Sequence, residues 1–140
     1  MELVRTLLDD GTLALAQLHG QEDESYIREL KTYTDKLIIK AFSIKTAEDI
    51  EKALQSPADY ILLDQGGGGT GKTFDWSLIP EIQRPFFLAG GIGASNLGQA
   101  IREIHPYAVD LSSSVETEKR KDPMKIRQVV DIVREIKIIN

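Results

Sequence analysis

The segment Tyr60-Ile-Leu-Leu-Asp-Gln-Gly-Gly-Gly-Gly-Thr-Gly-Lys-Thr73 decides the fold, because a short apolar run leads straight into a loop of glycines. The stretch opening at Gly66 and closing at Thr73 satisfies the pattern G-x-x-x-x-G-K-[ST]. In that motif backbone N–H groups cradle nucleotide phosphates and the lysine, here Lys72, reaches them. Such a loop must open a substantial helix at its Gly-Lys-Thr. Here Phe74-Asp-Trp-Ser-Leu-Ile-Pro80 follows, and the proline limits any helix to about one or two turns. A second acidic strand to hold magnesium is also lacking, since Asp110 sits within its strand and precedes serines. A glycine-rich loop closing over a phosphorylated substrate at the mouth of a parallel barrel suits the segment better. A loop with no ligand is the third reading.

Outward from this segment the chain repeats itself. Apolar runs at residues 13–19, 37–41, 60–64, 86–90 and 108–112 read as strands. Their ends at 19, 41, 64, 90 and 112 fall 22, 23, 26 and 22 residues apart, which is a repeat signal. Helical patterns fill the intervals at residues 22–36, 46–54, 95–103 and 125–137, with Thr46 and Asp49 close to a capping box and Ser95 as a cap. Residues 1–8 read as the latter part of a helix with no strand before it. Strict alternation means parallel βαβ units with right-handed crossovers. A repeat this short fits a (βα)8 barrel, in which about 200–250 residues make eight units. Five units stand where eight are needed, in a single domain over residues 1–140.

Composition narrows the function classes. With 22 acidic and 17 basic side chains, the formal charge of −5 argues against non-specific nucleic-acid binding, which needs clustered Lys and Arg. The absence of cysteine excludes a disulfide scaffold and a Cys-based zinc site, and only His19 and His105 are available to any His-rich metal site. The longest apolar runs are about five residues, far below the roughly 20 that span a bilayer. Acidic residues in Met1-Glu-Leu-Val-Arg-Thr-Leu-Leu-Asp-Asp10 stand where a signal peptide carries positive charge. The expectation is a cytoplasmic chain with no nucleic-acid or membrane partner.

Three strand ends carry candidate chemistry. Asp64 closes its strand, where a carboxylate faces the catalytic mouth of a barrel and acts as a general acid; fixing the following loop is the plain structural alternative. Leu88-Ala-Gly-Gly-Ile-Gly-Ala-Ser-Asn96 and Asp110-Leu-Ser-Ser-Ser-Val-Glu116 are strands running into small or hydroxyl residues. The loops after the last two strands of a parallel barrel commonly bind phosphate, with glycine allowing close backbone approach. His19 ends its strand in the same way and is expected either to line the substrate pocket or to anchor a loop. Lys40 and Asp110 are expected to point into the barrel and join Asp64 in a buried network. Residues 119–121, Lys-Arg-Lys, read as a solvated loop, and Phe74 and Trp76 as packing residues.

Together these residues resemble the phosphoribosylanthranilate isomerase family of tryptophan biosynthesis. The stretches carrying the resemblance are Gln17-Leu-His-Gly20, Ile39-Lys-Ala41, Leu62-Leu-Asp64, Gly68-Gly-Thr-Gly-Lys-Thr-Phe-Asp-Trp76, Leu88-Ala-Gly-Gly91, Asn96, Val109-Asp-Leu-Ser-Ser113, Val115-Glu116 and Lys121-Asp122. They lie in family order over nearly the whole chain, and the Gly-Gly-Thr-Gly-Lys segment accounts for the nucleotide-loop match. The resemblance implies an α/β (βα)8 TIM-barrel-type fold needing no metal or organic cofactor. It also implies an Amadori rearrangement of N-(5-phosphoribosyl)anthranilate to 1-(2-carboxyphenylamino)-1-deoxyribulose 5-phosphate. Asp64 would protonate the ribose ring oxygen as general acid. Substrate and phosphate binding would fall to His19, Gly68, Gly69, Gly71, Lys72, Gly90, Gly91, Ser112, Ser113 and Ser114.

The family pattern also sets expectations about what is missing. A cysteine base after the first strand and an arginine near the second have no counterpart, so the barrel is expected to be incomplete, with strands 4–8 and their helices present and strands 1–3 absent. The isolated chain would then be catalytically impaired, and a non-catalytic sugar-phosphate-binding fragment is the alternative. Open sheet edges would favour self-association or pairing with the missing piece. Ser114 stands where the family usually has glycine, and the segment between Glu116 and Lys121 lacks the usual Pro-Gly. If position 114 needs φ > 0, serine there is strained.

Overall fold

Period-two alternation along Tyr60–Asp64 sets the layering. Ile61 and Leu63 are fully covered on one face, while Tyr60, Leu62 and Asp64 point to the other. In a computed structural model that describes residues 1–65 and 73–139, β1 (Leu15–Leu18), β2 (Leu37–Ser43), β3 (Tyr60–Asp64), β4 (Phe86–Leu88) and β5 (Ala108–Val109) form one sheet in chain order, parallel throughout. Helices α1 (Glu2–Asp9), α2 (Glu24–Tyr33), α3 (Ala47–Gln55), α4 (Leu97–Ile104) and α5 (Pro123–Ile139) alternate with them. Between β5 and α5 lies a small antiparallel hairpin of β6 (Glu116–Thr117) and β7 (Arg120–Lys121). No helix among the described residues is long and apolar enough to cross a membrane.

Local chemistry explains the element ends. Thr46 and Asp49 form the reciprocal capping box that starts α3. The Asp23 carboxylate starts α2 by accepting from the Tyr26 N–H at 2.8 Å. Ser95, expected to cap α4, does not: α4 begins after Asn96, whose side chain turns back into the preceding loop. The strands also shift. β1 stops before His19, and β4 stops at Leu88, because Gly90 and Gly91 take φ of 82° and 68° and turn the chain out of the sheet. β2 runs on to Ser43, which pairs with Asp64.

Helices cover one face of the sheet. Ile61, Leu63, Phe86 and Leu88 pack against Ile50, Ala53, Leu97 and Ala100, while Ala16, Leu18 and Ile38 pack against Ile27, Leu30 and Leu8. The other face carries Ile39, Leu62 and Ala89, and below them the rings of Tyr60, Phe87 and Tyr107, with centroids 5.4 to 6.1 Å apart. Phe74 is buried in the larger core and Trp76 packs beside it, as expected of a packed loop.

Lys40 corrects the expected network. It follows Ile39 in β2 and so faces the helix side with Ile38, away from Asp64. Its buried ammonium donates to the Gly20 carbonyl at 2.8 Å and to Glu22 Oε2 at 2.9 Å. Asp110 is exposed on the same sheet face as Asp64 and so lies away from Lys40. The hydrogen bond from Lys40 holds the Glu22 carboxyl below its ordinary value of 4.5, against an opposing effect of burial. The pair therefore stabilises the fold fully above that value and less as pH falls through the folded-state value. Glu22→Gln is expected to cost about 2 kcal/mol at pH 7, because it leaves a buried ammonium short of its counter-charge. The gap in urea midpoint between wild type and variant should narrow from pH 7 to pH 3.

Candidate active site

The C-terminal ends of β3, β4 and β5 open onto one cavity of about 360 Å³. Half-buried Asp64 forms one wall, Gly90 and Gly91 another, and Ser112, Ser113 and Ser114 a third. Six of the residues expected to act on substrate are thus brought together. Gly68, Gly69, Gly71 and Lys72 lie outside the described residues. His19 is exposed beyond β1, two strands from Asp64, and does not line the cavity. After Thr73 comes a three-residue 3₁₀ turn, Trp76–Leu78, instead of the long helix that a nucleotide loop requires.

Close packing fixes the walls. A Cβ on Gly90 would collide with Asp64 Oδ1 and come within 2.7 Å of the Gln65 backbone nitrogen. Glycine here lets the β4 loop lie directly against the acid. Asn96 Oδ1 accepts from the Gly93 N–H at 2.9 Å and Asn96 Nδ2 donates to the Gly91 carbonyl at 3.1 Å, so one side chain pins the loop from 91 to 96. A Cβ on Gly93 would stand 3.0 Å from Ser114 Cβ, which seats the β4 loop on the serine turn.

The serine turn differs from expectation. Residues Ser113–Val115 form a 3₁₀ turn, and Ser114 is not among the non-glycine residues with positive φ. Serine at this position carries no left-handed strain, and its buried hydroxyl has no hydrogen-bond partner among the described residues. The strain sits in the turn joining β6 to β7, at Glu118 and Lys119, with φ of 51° and 63°. Two successive left-handed residues match a type I′ hairpin turn, where Asn-Gly is favoured. Replacing Glu118-Lys119 with Asn-Gly is expected to raise stability by about 1 kcal/mol, read as a higher urea midpoint. The basic run is exposed, as expected, but it forms the turn and second strand of the hairpin instead of a loop, and Lys121 Nζ donates to the Ser112 carbonyl at 3.0 Å and to Glu116 Oε1 at 2.8 Å.

Five lining residues were not among the predicted binding set: Ala89, Ile92, Gly93, Ser95 and Asp110. Asp110 carries the same signal as Asp64, a carboxylate at the end of a strand on the same sheet face. The cavity therefore pairs acid groups, suited to proton transfer, with a glycine and hydroxyl rim suited to an oxyanion.

A family model described as N-(5'-phosphoribosyl)anthranilate (PRA) isomerase matches residues 1–132. The N-(5'-phosphoribosyl)anthranilate isomerase of Endomicrobium trichonymphae is 45% identical over 134 residues, which make up 93% of this chain and 66% of that protein. The counterpart from Streptococcus gordonii is 42% identical over 127 residues, 89% of this chain and 62% of that one. The chain thus spans slightly less than two thirds of the length of these curated relatives. Among solved structures, phosphoribosyl anthranilate isomerase from Thermotoga maritima superposes with a TM-score of 0.79 at 35% identity, covering 96% of this chain and 68% of that one. Another, solved with reduced 1-(o-carboxyphenylamino)-1-deoxyribulose 5-phosphate, gives 0.77 at 32% identity, covering 96% and 66%. The parallel α/β sheet described above is accordingly of TIM-barrel type.

Proposed function

Because this chain belongs to the N-(5'-phosphoribosyl)anthranilate isomerase family, we propose that it binds N-(5-phosphoribosyl)anthranilate and serves its isomerisation to the 1-deoxyribulose 5-phosphate in tryptophan biosynthesis. The observation that carries this reading is the shared cavity of Asp64, Gly90, Gly91 and residues 112–114. Asp64 acts as the acid that protonates the ribose ring oxygen. The glycine turn and the serines hold the phosphate, so that the ring oxygen lies against the carboxyl.

In this reading residues 1–140 are one unit, and β1–β5 are strands four to eight of an eight-strand barrel. Coverage of 66% and 62% of two relatives suits five of eight βα units in length. The cysteine base and the arginine clamp of the family have no counterpart among residues 1–140, so of these roles the residues here supply the acid and the phosphate site. General-base catalysis is typically worth about 10²–10⁴-fold. The β1 and β5 edges are then pairing surfaces for complementary strands or a second copy, and sedimentation velocity should show association that depends on concentration. The compartment in this reading is the cytoplasm.

Turnover tests the reading. Purified chain should convert substrate slowly, and Asp64→Asn should lower that conversion about 10²–10⁴-fold. Conversion that is undiminished in Asp64→Asn would overturn the assignment.

A further inference from the structure

We propose that Lys121 is a positioning residue for the anion-binding turn: it holds Ser112 so that the serine hydroxyl donates into the cavity. The proposal rests on the reading of that cavity as a phosphate site. An ammonium has three N–H donors. In Lys121 they meet the Ser112 carbonyl at 3.0 Å, the Ser112 hydroxyl oxygen at 3.4 Å and Glu116 Oε1 at 2.8 Å. A hydroxyl has one hydrogen and two lone pairs. With a lone pair turned toward the ammonium, the hydrogen of Ser112 is directed elsewhere, and Ser112 lines the cavity. Contact with a cation also polarises that O–H and makes it a stronger donor.

The lysine is fixed in place for this task. Lys121 pairs with Glu116 across the hairpin, the next residue's N–H donates to the Val115 carbonyl at 2.8 Å, and Lys125 Nζ donates to the Glu116 carbonyl at 2.6 Å. The Ser112 carbonyl that receives Lys121 also accepts the Val115 N–H at 3.3 Å, so the lysine grips the residue that starts the 3₁₀ turn. The Lys121 side chain is 53% exposed, and an ion pair so open to solvent is worth little by itself. The effect of Lys121 on the cavity therefore runs through Ser112 and not through Glu116.

Titrating inorganic phosphate into the full chain, with melting temperatures alongside, separates these routes. Lys121→Met and Ser112→Ala should each weaken phosphate about tenfold, as loss of one charge-assisted hydrogen bond does, and the double variant no further. Lys121→Arg should bind within about threefold of wild type, and Glu116→Gln within about twofold. Unchanged affinity in Lys121→Met, additive losses in the double variant, or a Glu116→Gln loss equal to that of Lys121→Met would each overturn the proposal. If Lys121→Met fails to fold, the Ser112→Ala and Glu116→Gln arms decide: Ser112→Ala must lose affinity and Glu116→Gln must not. A wild-type chain that does not bind phosphate would instead bring down the cavity reading, and Lys121's role with it.

Discussion

Gly90→Ala is expected to cripple both the site and the fold around it. At φ of 82° any side chain is strained by about 1–3 kcal/mol. The new methyl group would also overlap Asp64 Oδ1 and the Gln65 backbone, and backbone yields less readily than the tip of a flexible side chain. Relief requires the β4 loop to move off β3 or the acid to swing aside. A displacement near 1 Å at a reacting group costs about 10²-fold in rate. The variant should therefore lose about 100-fold or more in substrate conversion and melt several degrees lower. Gly98→Ala is the control: it lies in α4, away from the cavity, and a Cβ there meets only the flexible end of Arg102. It should change conversion less than about twofold.

Asp64→Asn probes chemistry with geometry intact. The amide is nearly isosteric and keeps the close fit beneath Gly90, but it has no acidic proton to give. Substrate conversion should fall about 10²–10⁴-fold, while affinity for the reduced product changes by less than about threefold. Equal losses in affinity and rate would make Asp64 a binding residue instead of the acid.

The fold was most legible where local rules and tertiary packing agree. The run Tyr60–Asp64 alternates sides and keeps its expected bounds, and Thr46 with Asp49 makes the anticipated capping box. Asp64 could be placed at the cavity because a residue closing a parallel strand lies at the sheet end where barrel sites open, although the same carboxylate could equally have fixed the following loop. Lys40 was misplaced because Leu37-Ile-Ile-Lys-Ala41 is apolar without alternation, as strands covered on both faces are, so nothing local tells which side the lysine takes. His19 follows a strand end much as Asp64 closes one, but β1 lies two strands from β3 on the side away from β4 and β5, and order within the sheet is not written locally. The hairpin that carries Lys121 to Ser112 turns on Glu118 and Lys119 without any glycine or asparagine to announce it. Contacts that depend on such a turn emerge only in three dimensions.

Calorimetric titration of the intact chain with reduced 1-(o-carboxyphenylamino)-1-deoxyribulose 5-phosphate tests the central claim most directly. The cavity of Asp64, the glycine turn and the serines should give saturable one-to-one binding that inorganic phosphate competes away and Gly90→Ala removes. Heats no larger than dilution, or binding that neither phosphate nor Gly90→Ala disturbs, would contradict it.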